Sequence, residues 1–274
     1  MTTTEFRDRV RITVIDGIAD VRMIRADKRN ALDGDMFQAL AEAGEHLKTA
    51  PGVRVAVLSG EGKSFCAGLD MSVMTQLAGG GDERSDGNPG ALQSSGLTHL
   101  GQQVSWVWQE VPVPVIAAVH GHALGGGIQI ALGADIRIVH PDTKLSVREV
   151  YWGLVPDMTG TLFLAKLVGA DVAKELVFTA RIFDGREGHR LGLATRLSDD
   201  PYTDAMALAK EIANLSPDAV RGAKELLNHL FNAGAGEQFA HERRIIRSLV
   251  GRPNQVESVM ASFENRPPNF VDPQ

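Results

Sequence analysis

The chain has 274 residues, 43% of them hydrophobic and 23% charged, the balance of an ordinary globular protein long enough to bury one large core or two small ones. A formal net charge of −6 argues against a nucleic-acid partner held by bulk electrostatics, while leaving room for a local basic pocket that takes phosphate groups. Cys66 is the single cysteine, so no internal disulfide can form and a reducing compartment is expected.

The segment MTTTEFRDRVRITV at the start is polar and charged and lacks the apolar stretch of a signal peptide. The longest apolar run, Val111 to Val119, is too short to span a bilayer, so a cytoplasmic protein without membrane association is expected. Residues 8–25 alternate apolar and polar around Asp16-Gly17, which predicts two antiparallel strands joined by a two-residue turn. Asp33 is placed to cap a helix whose apolar positions Met36, Leu40 and Leu47 share a face, and Pro51-Gly52 ends it. Residues 53–60, VRVAVLSG, read as a buried strand running into the loop EGKSFCAGLD.

Residues 79–96 are rich in Gly, Ser, Asp and Asn and read as a mobile surface loop, long enough to serve as a lid. A helix through Leu100 and Trp108 follows, then the strand VPVPVIAAVHG, whose Pro112 and Pro114 fit an edge or an entry. Beyond Gly125–Gly127 come a short helix and a strand, a turn at Pro141-Asp142, and a strand and loop in KLSVREVYWGLVPD. Helices are predicted over TGTLFLAKLVG and 170–180, then a short strand segment in RLGLATRL, and four helical stretches from Pro201 onward.

Several motifs fail on inspection. EGKS resembles the end of a phosphate-binding loop, but Val57 stands where that motif needs its first glycine. No GxGxxG follows a strand, and no GxSxG elbow is present. His120 and His122 have no Cys or carboxylate partner at a metal-site spacing, and Cys66 has no adjacent base, so a metal role and a nucleophile are both disfavoured.

Four segments taken together are more specific: KRNAL (28–32), SFCAGLDM (64–71), GHALGGGIQIALGADIRI (121–138) and SVREVYWGLVPDMTGT (146–161). In this order they resemble the enoyl-CoA hydratase/isomerase, or crotonase, superfamily over nearly the whole chain. The resemblance implies an α/β protein: a ββα spiral core over 1–198 and a C-terminal α-helical trimerisation region over 199–274, together one structural unit. It further implies an acyl-CoA substrate, no cofactor apart from the CoA carried by that substrate, no metal, and a homotrimer or a hexamer made as a dimer of trimers.

By position, the backbone N–H groups of Leu69 and Gly126 correspond to the family's oxyanion hole. Two such preoriented donors stabilise an enolate oxygen where its charge develops, and losing one costs on the order of 10² to 10³ in rate. Lys28 and Arg29 would meet CoA phosphates, Ala31 and Leu32 would pack the pantetheine arm, and Cys66, Ala67, Gly68 and Asp70 would pass the adenine through backbone contacts. Met71, Gly125 and Pro156 complete the implied substrate-binding set. The family's hydratases carry two glutamates. Here Glu149 matches the second, Gln129 stands in place of the first, and Asp157 replaces a glycine eight residues beyond Glu149. A glutamine can orient water but cannot exchange a proton. Hydration by Glu149 with Gln129 positioning water therefore competes with a double-bond shift by Glu149 and Asp157. A non-catalytic acyl-CoA binder is the third reading. The acyl pocket is expected to be shaped by Met71 to Leu77, the glycine-rich loop and the Trp106/Trp108 helix.

Overall fold

The computed structural model describes residues 1–79, 97–231 and 235–269. Strands β1 (Thr2–Phe6), β2 (Val10–Ile15) and β3 (Ile18–Met23) form an antiparallel meander. The β2–β3 turn is the predicted one: Asp16 and Gly17 have φ of 52° and 80°, the two positive values that a twisted two-residue hairpin needs. β1 has no apolar pattern to announce it, because its side chains are exposed and main-chain pairing at the sheet edge holds it.

Helix α1 (Gly34–Thr49) leads to β4 (Val55–Gly60), which runs parallel to β3. Asp33 caps it as expected, its Oδ1 accepting from Met36 N at 2.8 Å, and Met36, Leu40 and Leu47 are buried. Helices α2 (Met71–Ala78) and α3 (Leu100–Glu110) precede β5 (Val115–Val119). α2 is an addition to the predicted elements, capped by Asp70 through Ser72 N at 2.9 Å. The predicted loop over 79–96 lies outside the described residues except for Gly79, which ends α2. β5 starts directly after Pro114, whose carbonyl accepts from Ala56 N at 2.9 Å, so the prolines stand at the entry to an interior strand.

There follow β6 (His122–Leu124), α4 (Gly126–Gly133), β7 (Ile136–Val139), β8 (Lys144–Ser146), α5 (Gly160–Val168), α6 (Ala170–Thr179) and α7 (Gly185–Arg190). Of RLGLATRL only β9 (Arg196–Leu197) is strand, and α7 before it is a further addition. The chain ends in α8 (Pro201–Ala213), α9 (Pro217–Phe231), α10 (Ala235–Leu249) and α11 (Pro253–Phe263).

The main sheet has the order β1-β2-β3-β4-β5-β7-β9, parallel from β3 onward, and β6 pairs with β8 in a separate small parallel sheet. Both faces of the main sheet are covered. Ala56 and Leu58 join the large core with α1 and α3, while Val55, Val57, Ile116 and Ile138 meet Ala205, Leu208 and Ala209 of α8. A strand buried on both faces has no polar side to show, which is why β4 reads as an unbroken apolar run. Among the described residues no helix is long and apolar enough to cross a membrane.

One charged staple ties the C-terminal helices to this frame. Lys224 of α9 is 7% exposed, and its Nζ donates to Trp108 O at 2.8 Å and Val113 O at 2.9 Å and pairs with Asp135 Oδ2 at 2.8 Å. Burial pushes its pKa down and Asp135 works against that. Breaking a buried pair from one side leaves the other charge uncompensated. Lys224→Ala is therefore expected to destabilise the fold by about 3 kcal/mol. Thermal unfolding should show part of that loss recovered when Asp135→Asn is combined with Lys224→Met.

Candidate active site

Main-chain hydrogen bonds bring the four signature segments side by side. Leu32 N donates to Gly68 O at 2.8 Å and Asp70 N donates to Leu32 O at 2.9 Å, so 28–32 runs beside 66–70. Cys66 N donates to His122 O at 2.9 Å and Leu124 N to Cys66 O at 3.2 Å, which adds the segment before the glycine triplet. Gly125 N donates to Ser146 O at 2.9 Å, continuing the β6–β8 pairing toward Glu149. Alternate residues of an extended segment present their backbone groups to opposite sides. Because Leu32 bonds Gly68 and Asp70, the Leu69 N–H faces away from it. Gly126 is the first residue of α4, where an N–H has no partner within the helix. Among the described residues neither N–H meets an acceptor.

Glycine is required where these segments touch. Gly125 has φ of 52°, and a Cβ there would stand 3.3 Å from Glu149 Oε1. A Cβ on Gly127 would sit 2.3 Å from Cys66 O, a main-chain atom that cannot step aside.

Both amides border a cavity of about 240 Å³. One wall is α2, through Met71, Val73, Met74 and Leu77, and another is α10 and the residue after it, through Ile246 and Val250. Glu149 and Asp157 line it too. Glu149 opens a short 3-10 turn (Glu149–Trp152). Its Oε1 accepts from Gln129 Nε2 at 2.5 Å, and its Oε2 is buried with no hydrogen-bond partner. Burial pushes its carboxyl up to about 7, against the hydrogen bonds from its own N–H and from Gln129. No ion pair with Arg148 forms: that guanidinium donates to Ala180 O at 2.7 Å and lies over the Tyr151 ring.

Of the remaining predicted positions, Leu32, Ala67, Gly68, Met71 and Gly125 line the cavity with Leu69 and Gly126. Gln129 does not. It is fully buried behind the wall, its Oε1 accepting from Met158 N and Gly160 N, both at 2.9 Å. Cys66 is buried and its thiol pushed up to about 12 by burial, so only its main chain serves the site. Burial acts against the charge of Asp70, but the Ser72 N–H and hydroxyl and the Arg25 guanidinium outweigh it and hold the carboxyl at about 2. That residue braces the turn and does not line the cavity. Lys28 and Arg29 are exposed at the end of a separate 3-10 turn (Ala26–Lys28), Ala31 is half-buried and Pro156 buried.

One expectation is sharpened. The Trp106/Trp108 helix does border the cavity, but through Gly101; Trp106 and Trp108 themselves are core side chains, Trp106 stacking on Phe163 and meeting Phe239 edge-on. Helix α5, whose N-cap is Thr159, has no side-chain cap from that residue. Buried Glu242 of α10 fills that role, accepting from Thr159 N at 3.3 Å and from the Thr161 hydroxyl. Glu242 escaped sequence reasoning, although its four-residue spacing to Ile246 and on to Val250 places all three on one helical face. Among the described residues no group of three or more His, Cys, Asp or Glu is placed to hold a metal.

The family model for enoyl-CoA hydratase/isomerase matches residues 13–273, and the chain belongs to that family. It is 32% identical to the protein named "Probable enoyl-CoA hydratase echA8" of Mycobacterium leprae, over 94% of this chain and 97% of that one. It is 30% identical to mitochondrial methylglutaconyl-CoA hydratase of Mus musculus, over 93% of this chain and 79% of that one. The crystal structure of an enoyl-CoA hydratase/isomerase from Pseudoalteromonas atlantica superposes with a TM-score of 0.84 at 25% identity, covering 96% of this chain and 100% of that one.

The raised pKa of Glu149 carries a stability consequence. Lifting a carboxyl from 4.5 to about 7 means that the folded state holds a proton that the unfolded chain has released. Stability therefore falls as pH rises from 4.5 through 7, by on the order of 3 kcal/mol in all. Glu149→Gln removes the cost of ionisation. Its thermal midpoint is expected to exceed the wild-type value at pH 8 and to match it closely at pH 5.

Proposed function

We propose that the chain acts on an acyl-CoA thioester, with the thioester oxygen between the Leu69 and Gly126 N–H groups and Glu149 exchanging protons with the acyl group. The observation that carries this is Glu149 itself: a carboxyl with its pKa near neutrality, one oxygen held and the other bare, on the wall of an apolar cavity beside the Gly125–Gly126 turn. A general base works best when its pKa lies near the operating pH. In hydration, ionised Glu149 takes a proton from water as the water oxygen bonds the β-carbon. The electron pair of the double bond moves to the thioester oxygen as an enolate, and the same carboxyl then returns a proton to the α-carbon. Two fixed N–H donors lower the barrier at the point where that charge collects.

Asp157 on the same cavity supports a second reading, a dienoyl-CoA-isomerase-like shift in which Glu149 removes a proton at one carbon and Asp157 delivers one further along the conjugated enolate. The apolar walls of α2 and α10 favour a hydrocarbon acyl chain over a charged one. Lys28 and Arg29, exposed at the turn beside Gly68, are suited to CoA phosphates, and the CoA of the substrate is the only coenzyme the reading needs. A homotrimer, or a hexamer built from two, is part of the proposal, supported by the solvent-facing Leu226 and Leu227 of α9.

Purified protein assayed with crotonyl-CoA and with a 3,5-dienoyl-CoA separates the readings. Glu149→Gln is expected to lower turnover by about 10² to 10⁴ with either substrate. Asp157→Asn should spare hydration and abolish the double-bond shift. Binding of acyl-CoA without turnover of any thioester would leave the non-catalytic reading. Since ionised Glu149 is the working form, kcat/KM should fall about tenfold per pH unit below an apparent pKa of about 7 and level off above it.

A further inference from the structure

We infer that Gln129 is a positioning residue that acts through Glu149: its amide, locked by two main-chain donors, holds Oε1 of that carboxyl and confines proton transfer to Oε2. The inference rests on the reading of Glu149 as the acid/base and extends it to a residue that never touches the substrate.

The orientation of an amide is set by its partners. Met158 N and Gly160 N are donors and both point at one end of the Gln129 side chain, 2.9 Å away, so that end is the oxygen. The other end is then the NH₂ group, and it faces Glu149 Oε1 at 2.5 Å. No flip is available, because it would set two N–H donors against an NH₂. Oε1 is thus committed to a donor that cannot release its proton. Gly125 packs beside it, and its missing Cβ, which would stand 3.3 Å from Oε1, leaves the carboxyl room to take this position. Oε2 has no such partner, and Glu149 borders the cavity while Gln129 does not.

The neighbouring charges leave this arrangement to Gln129. The Arg148 guanidinium is turned to Ala180 O and Tyr151. Glu242, packed against the start of α5, is occupied by Thr159 N, the Thr161 hydroxyl and Gln102 Nε2. Asp157 shares the cavity with Glu149 and, among the described residues, is the other titratable side chain on its wall besides Arg148. A neutral donor at position 129 favours the ionised form of Glu149 without pinning it there, as a cation would.

This geometry also decides what an acid at position 129 would do. In Gln129→Glu, one oxygen of the new carboxylate keeps the Met158 and Gly160 N–H groups, which stabilise its charge, and the other faces Glu149 Oε1. Two carboxylates that close cannot both be ionised, and they titrate as a coupled pair. The substitution would not create a second acid directed at the substrate.

The test is the pH profile of kcat/KM with whichever of crotonyl-CoA and a 3,5-dienoyl-CoA the wild type turns over. Gln129→Glu is expected to move the acid limb upward by about one to two pH units. Its kcat at pH 7 should fall roughly tenfold or more, with KM little changed. A faster hydration rate with the limb in its wild-type place would mean that position 129 works directly on water or substrate, and would overturn the inference. If Gln129→Glu does not fold, Gln129→Met removes the donor at similar volume. It too should raise the limb, whereas reduced stability with an unmoved limb would assign Gln129 a purely structural role and defeat the proposal. Failure of the Glu149 reading is distinguishable, because Glu149→Gln would then retain turnover. An inactive Glu149→Gln beside an unmoved limb in both Gln129 variants would sink this inference alone.

Discussion

Main-chain pairing among four short segments is the constraint from which the site follows. Leu32 with Gly68 and Asp70, Cys66 with His122 and Leu124, and Gly125 with Ser146 hold those segments in register by backbone bonds of 2.8 to 3.2 Å. In an extended chain every second residue turns its amide the other way. The bonds that hold Gly68 and Asp70 therefore also turn the N–H of Leu69 outward. The start of α4 does the same for Gly126, since the first amides of a helix have no partner inside it. Two main-chain donors left without partners on one cavity are thus a by-product of how the layers are joined, and only glycine permits the approach, as the 2.3 Å between a Cβ on Gly127 and Cys66 O makes plain.

The acid of the site is held on opposite terms. Nothing in the frame requires Glu149 to be buried, and burial raises the free energy of its charged form. Several solutions would stabilise that charge. An arginine within reach would fix it ionised and useless as a proton donor, and the nearby Arg148 is instead turned away to Ala180 O and Tyr151. Leaving the carboxyl with no partner at all would raise its pKa further. The single neutral donor of Gln129 lies between these extremes. Under the proposed mechanism, catalytic usefulness and stability pull against each other at Glu149, as is common for groups whose pKa is tuned by an apolar setting.

Much of this organisation can be read in the residues, and the boundary of what can be read is physical. β4 and β5 are evident because burial on both faces demands unbroken apolar runs, and Asp33 and Asp16-Gly17 are evident because caps and tight turns need particular residue types. β1 and α7 are not, since pairing and packing, more than their own side chains, determine them. At the site the same division holds. Glu149, Leu69 and Gly126 follow from motif position. That Gln129 lies behind the cavity wall does not, because the Met158 and Gly160 amides that orient it belong to a turn about thirty residues away whose course no local pattern specifies. Glu242 is further still, and only its helical alignment with Ile246 hints at a site role. That α3 reaches the cavity through Gly101 while Trp106 and Trp108 stay in the core is instructive in another way: large aromatic residues on a helix face serve a core at least as readily as a pocket.

The neutral residue at position 129 also narrows the chemistry open to the enolate. Under the proposed mechanism one oxygen of one carboxyl must both take and return the proton, so the two transfers occur on the same face of the acyl group. A second, separate proton site has to come from a group that borders the cavity, and among the described residues Asp157 is the other carboxyl that does. Hydration needs only the first oxygen and a water beside it. A double-bond shift over several carbons needs both carboxyls, because a single oxygen held in place by Gln129 cannot follow the proton along the chain. On the proposed readings the choice between the two reactions therefore turns on Asp157, while Gln129 sets which atom of Glu149 would take part in either.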